Sequence, residues 1–358
     1  MTHDALLEDY TRLLPALTEV AGGLERELAS LLAERQVMVH FVSSRVKSPA
    51  SLRRKLARPE KTYQSLWDVT DLVGLRIATY FEDTMEEVAR LVEHRFAVDF
   101  GHSTDKHRFT DTGTFGYRSL HYVCARPGNP VDPRFRFEIQ VRTALQHAWA
   151  EVEHDLGYKA DALPASIRRR FSRVASLLEI ADQEFVALRR ELSVYQATVE
   201  GQVARADGRV SLDEVSVAAL VRTPEFVALD EQVGRALERP RSETLYFPEY
   251  LLKLLRLSGL STTGEVRDAL ARHGAQVPSV VGPYFELSAR TWGFGRDAVR
   301  SVEAGYGLFF LAHLVILKGP ELILSRVARL TALYMQLDEL DEKTAHQLAH
   351  GLLGALGS

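Results

Sequence analysis

Between residues 37 and 141, runs with the two-residue period of strands alternate with runs of helical period. No other property of the chain narrows its fold as much. Residues 37–46, 75–81, 96–100, 121–125 and 134–141 are rich in β-branched and aromatic side chains and predict strands. Between them, Ser48-Pro49 opens a basic helix through residues 52–56, and residues 85–94 read as another helix. Helices interleaved with strands argue one mixed sheet in an α/β or α+β domain.

The flanks differ. Leu6, Leu7, Leu13, Leu14, Leu17, Val20, Leu24, Leu28, Leu31 and Leu32 recur at helical spacing, and Pro15 with Gly22-Gly23 predicts a split into two helices. Residues 167–198 read as one long amphipathic helix, and the polar stretch 201–210, with two glycines, as a linker. Ser211 with Glu214 has capping-box spacing, and everything beyond reads helical. The expected organisation is therefore an α+β domain over residues 1–200, a linker at 201–210, and an all-α domain over 211–358.

Composition excludes several classes. Across 358 residues the formal charge is −4, which argues against a chain coated in nucleic acid, although local basic patches remain compatible with it. The single cysteine, Cys124, excludes a disulfide framework and a cysteine zinc site, and fits a reducing cytoplasm. Met1-Thr2-His3-Asp4 lacks the pattern of a signal peptide. The greasiest run, 306–317, contains His313, is too short to span a bilayer, and predicts a buried helix.

Four segments carry residue types suited to phosphate chemistry. In Arg45-Val46-Lys47-Ser48-Pro49-Ala50-Ser51-Leu52-Arg53-Arg54-Lys55, the strand period puts Arg45 and Lys47 on one face, and Lys55 follows one helix later. Three cations converging near a helix start suit a polyphosphate, whereas a solvated basic helix is the plainer reading. In Asp71-Leu72-Val73-Gly74-Leu75-Arg76, an acid precedes a strand that carries an arginine. Asp71 suits either a turn or a magnesium ion, which takes one or two carboxylates. Gly113-Thr114-Phe115-Gly116-Tyr117-Arg118-Ser119-Leu120-His121 offers an aromatic for stacking on a base, or a packing tyrosine at a strand entry. In Phe137-Glu138-Ile139-Gln140-Val141-Arg142-Thr143, Glu138 and Gln140 share a strand face while Ile139 and Val141 face the core. His147 and His154 on the next helix lack further cysteine or histidine to complete a metal site.

Taken in order, R-x-K-S-P-x-S-x-x-x-K, D-L-x-G-x-R, G-Y-x-S-x-H and E-I-Q-x-R-T resemble the synthetase domain of RelA/SpoT proteins over about residues 30–200. The resemblance implies a nucleotidyltransferase-like mixed sheet flanked by helices. It also implies transfer of the β,γ-pyrophosphate of ATP to the 3′-hydroxyl of GDP or GTP, giving (p)ppGpp. By motif position, Arg45, Lys47, Lys55 and Arg76 would hold ATP, and Asp71 would bind Mg²⁺. Glu138 would activate the hydroxyl or share the metal. Tyr117 would stack on the acceptor base, with His121, Gln140, Arg142, His154 and Lys159 around the acceptor.

One stretch departs from the pattern. Where family members carry a basic stretch before the Gly-Tyr motif, this chain has Asp111-Thr112-Gly113-Thr114-Phe115, with no lysine and an added acid. Toxic family members that pyrophosphorylate the 3′-CCA end of tRNA also differ there, so tRNA is the alternative acceptor, with Arg168-Arg169-Arg170 and Arg189-Arg190 as candidate RNA contacts. No hydrolase histidine–aspartate pattern precedes the synthetase motifs, which implies a synthetase-only member. An inactive nucleotide sensor is the third reading, and the retained Asp71 and Glu138 count against it. A regulator, an antitoxin, a phage sensor, a packing or oligomerisation module, or a sensor of a protein trigger all suit the C-terminal domain. A homo-oligomer fits the reading, and no membrane partner is expected.

Overall fold

A computed structural model describes residues 2–59, 61–105, 119–126, 132, 134–157 and 164–356. The chain divides into two compact units, Met1–Arg190 and Glu191–Ser358.

The first unit is built on a mixed sheet. Its elements are α1 (His3–Glu34), β1 (Val39–Val46), α2 (Pro49–Leu56), β2 (Val73–Thr79), α3 (Glu82–Arg95), β3 (Ala97–Val98), β4 (Thr104–Asp105), β5 (Leu120–Ala125), β6 (Phe137–Thr143) and α4 (Ala144–Gly157). Helix α5 (Ala165–Ala204) begins in this unit and ends in the second. The strand order is β1-β2-β6-β5-β3, with β4 pairing to β5. All pairings are antiparallel except β2 with β6. One sheet face is apolar: Val73, Leu75, Ile77, Ile139, Val141, Tyr122 and Cys124 are buried there with Leu17, Leu24 and Leu28 of α1 and Val88 and Val92 of α3.

The expected break in the first helix does not occur. α1 runs unbroken through Pro15 and Gly22-Gly23. Leu6, Leu7, Tyr10, Leu17, Ala21, Leu24, Leu28 and Leu32 form one buried stripe along it, and packing of that stripe outweighs the local helix breakers. The strand expected at 96–100 contracts to Ala97–Val98, because the chain turns at Asp99, whose carbonyl accepts from the His102 and Ser103 amides. The stretch expected as a linker opens with the last turn of α5.

The second unit is largely helical: α6 (Glu214–Leu220), α7 (Pro224–Leu237), α8 (Pro248–Leu257), α9 (Thr263–His273), α10 (Val277–Trp292), α11 (Tyr306–Leu317), α12 (Ile323–Leu337) and α13 (Glu342–Leu356). A short parallel pair, β7 (Arg241–Leu245) with β8 (Val302–Ala304), interrupts what was expected to be all helix. α6 is capped by Asp213, not Ser211: Asp213 accepts from the Ser216 amide (2.7 Å), and Ser216 accepts from the Asp213 amide (2.9 Å). The capping box lies two residues beyond the expected one. α11 is the buried helix expected from its sequence, with Leu308, Phe310, Leu311, Ala312 and Leu314 all at most 1% exposed. Asp230 of α7 caps its N-terminus, accepting from the Gly305 and Gly307 amides at 2.9 and 2.7 Å. Gly305 has φ +109°, and a side chain at Gly307 would collide with Leu229 at 2.7 Å. Among the described residues, no helix is long and apolar enough to cross a membrane.

Candidate active site

Strand register assembles the polar face of the first sheet. Arg45 pairs with Gly74, which pairs with Glu138. One rung along, Ser43, Arg76, Gln140 and His121 form a second row across four strands. Side chains two apart share a face, so Arg45, Arg76, Glu138, Gln140, Arg142 and His121 all stand on the side opposite the apolar core. Glycine at 74 leaves room in the first row, since a Cβ there would sit 3.4 Å from Arg45 Nε.

Asp71 lies at the entry to β2 and is held between two cations. Lys55 Nζ of α2 donates to its Oδ1 at 2.7 Å and Lys47 Nζ to its Oδ2 at 2.8 Å, with all three side chains largely buried. Lys55 reaches it because α2 starts at once after β1, with Ser48 capping the helix and Pro49 in its first turn. Burial pushes the Asp71 carboxyl up, but hydrogen bonds and charge from Lys47 and Lys55 outweigh it and hold the group below the usual carboxylate range.

Glu138 is the centre of the second cluster. His121 Nδ1 donates to its Oε1 (2.9 Å) and Gln140 Nε2 to its Oε2 (2.9 Å). His121 Nε2 lies 2.8 Å from Ser119 Oγ and 3.3 Å from Arg142 Nη2. A guanidinium can only donate, so Nε2 accepts and the imidazole proton sits on Nδ1, facing Glu138. Burial raises the Glu138 pKa, yet the His121 and Gln140 contacts bring it below the ordinary value, against an opposing push from the Asp71 charge. The two clusters therefore feel one another, and both acids are ionised at neutral pH.

The arginines on this face are under-satisfied. Arg76 Nη1 pairs with Glu151 Oε1 of α4 at 3.0 Å. The Nε atoms of Arg76 and Arg142 are buried without a hydrogen-bond partner among the described residues. Burial and then the Arg76 charge lower the Arg142 pKa, the mark of a cation short of anions. Such a face is suited to receive phosphate.

The structure thus brings Arg45, Lys47, Lys55, Asp71, Arg76, His121, Glu138, Gln140 and Arg142 onto one face and its edge. His154 stands apart in the last turns of α4, exposed, with Nδ1 3.6 Å from Asp155. Tyr117, Lys159 and the 111–115 stretch lie outside the described residues. Sequence reasoning assigned nothing to Glu151, although its four-residue spacing from His147 places both on one face of the helix after β6. It also missed Asp182, which is 2% exposed and accepts from Thr143 Oγ1 at 2.7 Å, fixing the β6–α4 junction. Among the described residues no three His, Cys, Asp or Glu side chains group as a ready metal site.

Comparison with known proteins follows the same residues. The family described as the region found in RelA / SpoT proteins matches residues 44–162. The chain is 30% identical over 162 residues to the GTP pyrophosphokinase YjbM of Bacillus subtilis, covering 44% of this chain and 76% of that protein. It is 26% identical over 200 residues to GTP pyrophosphokinase YwaC of the same organism, covering 52% of this chain and 93% of that one. A crystal structure of the small alarmone synthetase 1 from Bacillus subtilis bound to its product pppGpp aligns at 27% identity. That alignment has a TM-score of 0.46 and covers 52% of this chain and 99% of the other.

Proposed function

The chain belongs to the RelA/SpoT family of pyrophosphokinase-type transferases, and on that premise we propose that it moves the β,γ-pyrophosphate of ATP to the 3′-hydroxyl of GDP or GTP, making (p)ppGpp. The observation that carries this reading is the pairing of two half-buried, ionised acids with a surround of cations on one sheet face. Pyrophosphoryl transfer depends on positioning and charge neutralisation more than on covalent catalysis.

In the proposed reaction the 3′-oxygen attacks the β-phosphorus, the bond from that phosphorus to the α–β bridging oxygen breaks, and AMP leaves. Glu138 takes the hydroxyl proton, with His121 and Gln140 fixing its carboxylate. Arg45, Lys47, Lys55 and Arg76 bind the triphosphate, and Arg142 lines the acceptor side. Mg²⁺ fits the donor set, because Asp71 and Glu138 are hard, ionised oxygen ligands within electrostatic reach of each other. They would hold the ion, which neutralises phosphate charge when bound, while Lys47 and Lys55 turn from Asp71 to phosphate oxygens. The match to enzymes called GTP pyrophosphokinases supports a guanine nucleotide as acceptor.

Incubation with γ-³²P-labelled ATP and GDP, GTP or bulk tRNA tests the reading. Label in guanosine tetra- or pentaphosphate is the expected result. Label in tRNA would move the acceptor to RNA, and no label anywhere would leave a nucleotide-binding protein without this activity.

A further inference from the structure

Tyr10 lies outside the segment matched to the family, yet it reaches the phosphate side of the site. It sits on α1 and is fully buried. Its hydroxyl donates to the backbone carbonyl of Lys47, thirty-seven residues away. Lys47 follows the last residue of β1, where the sheet ladder ends and α2 is about to start. Its N–H donates to Leu72 O at 2.9 Å, next to Asp71. The Lys47 carbonyl points away from that rung, and Tyr10 supplies its donor. The peptide units on both sides of the Lys47 α-carbon are therefore fixed, one to Leu72 beside Asp71 and the other to α1. Its ammonium is aimed from a rigid base onto Asp71 Oδ2.

We propose that Tyr10 is a positioning residue for the triphosphate subsite: its hydroxyl fixes the Lys47 backbone and so holds the Lys47 ammonium where phosphate oxygens arrive. The phenol suits this task at any physiological pH. Burial, and then the negative charge of Asp71, push its pKa up to about 12, so it stays protonated and donating. The ring fills the apolar core beside Leu6 and Leu17, which Tyr10→Phe would preserve. Removing the hydroxyl alone thus separates positioning from packing.

The inference rests on the reading of Lys47 and Asp71 as triphosphate contacts, and the test keeps the two apart. In the full chain, affinity for an ATP analogue with an unbreakable α,β-methylene link is measured for wild type, Tyr10→Phe, Lys47→Ala and the double variant. Tyr10→Phe should weaken binding about fivefold, the scale of one hydrogen bond's net contribution. It should have no further effect once Lys47 is alanine, because the two act through one ammonium. In turnover it should raise KM for ATP with kcat changed less than about twofold, since Lys47 holds the triphosphate before and during transfer. Equal affinities for wild type and Tyr10→Phe would overturn the inference, as would independent, multiplying losses in the double variant. A wild-type chain that binds the analogue but transfers no label to any acceptor would strike the proposed reaction, while the affinity series would still decide the role of Tyr10.

Discussion

The two units bury charge in opposite ways. On the polar sheet face of the first, half-buried charges face other charges: Asp71 meets Lys47 and Lys55, Arg76 meets Glu151, and Arg142 approaches the His121–Glu138 pair, while Asp182, held by the Thr143 hydroxyl, lies outside that set. In the second, the most deeply buried titratable groups face backbone or a neutral hydroxyl. Asp230 accepts from the Gly305 and Gly307 amides with Arg241 4.0 Å off, His313 donates to Phe309 O, and Asp338 accepts from Tyr250. A side-chain cation held by a side-chain anion can exchange its partner for a ligand's phosphate. A carboxylate bound to amides cannot do so without unmaking a helix end. The first pattern suits a site that exchanges ligands, and the second suits scaffolding.

The largest effect should separate the two at once. Glu138→Gln keeps the shape and an acceptor oxygen for His121, yet removes the proposed base, so transfer should fall by roughly 10³-fold, within the usual range for general base catalysis. The melting temperature should stay within about 3 °C of wild type, and the α,β-methylene analogue should still bind. Undiminished turnover would remove Glu138 from the reaction. In the second unit the balance should reverse. Asp230→Ala strands two buried amides at the start of α11 and should cost roughly 4 kcal/mol in urea unfolding. A loss under about 1 kcal/mol would mean the cap is not structural.

What the sequence made legible follows the same division. The convergence of Arg45, Asp71, Arg76, Glu138, Gln140 and Arg142 could be anticipated because strand period two sorts residues onto faces before pairing is known. Tyr10 and Asp182 could not, because each meets its partner from a helix more than thirty residues away. Pro15 and Gly22-Gly23 misled for a related reason, since local breakers were weighed without the sheet that α1 packs on. In the second unit, α11 was legible from hydrophobicity alone. The β7–β8 pair was not, as Val302–Ala304 is three residues long and has no periodicity to read.

Acidity should sharpen the contrast further. Asp71 and Glu138 have lowered pKa values, so their stabilising contribution is present above the usual carboxylate pKa and is lost as pH falls through the lowered ones. In the second unit, burial raises Asp230 and Asp338 to about 6, so their contribution is complete below pH 4 and lost as pH rises to 6. His313, pushed down to about 4 by burial, works against them: its contribution is present above its unfolded pKa and lost as pH falls toward 4. Taken alone, each raised acid makes the second unit less stable at pH 6 than at pH 4, by something on the order of 2 kcal/mol. Over the same interval the pair in the first unit should contribute little slope. Hydrogen exchange of α11 and β2 amides across this range would read both trends in one sample. Asp338→Asn should flatten the trend in α11 alone, and parallel trends in the two units would break the contrast.

The smallest effect probes the boundary of the comparison. Arg76 and Glu151 form an ion pair at 3.0 Å whose side chains are 28% and 55% exposed. A pair so open to solvent contributes no more than about 0.5 kcal/mol to stability, because water screens it and two long side chains must be ordered. Glu151→Gln should therefore leave the unfolding midpoint almost unchanged. Its effect should appear instead on the ligand. Glu151 occupies one edge of a guanidinium whose Nε is already without a partner, and it places a negative charge where phosphates are proposed to bind. Removing that charge frees Arg76 and should tighten binding of the α,β-methylene analogue about two- to threefold, more at low ionic strength than at high. If Glu151→Gln instead lowered stability by more than about 1.5 kcal/mol with affinity unchanged, the Arg76 pair would belong with the fixed contacts of the second unit, and the division between exchangeable and structural charge would not hold across the site.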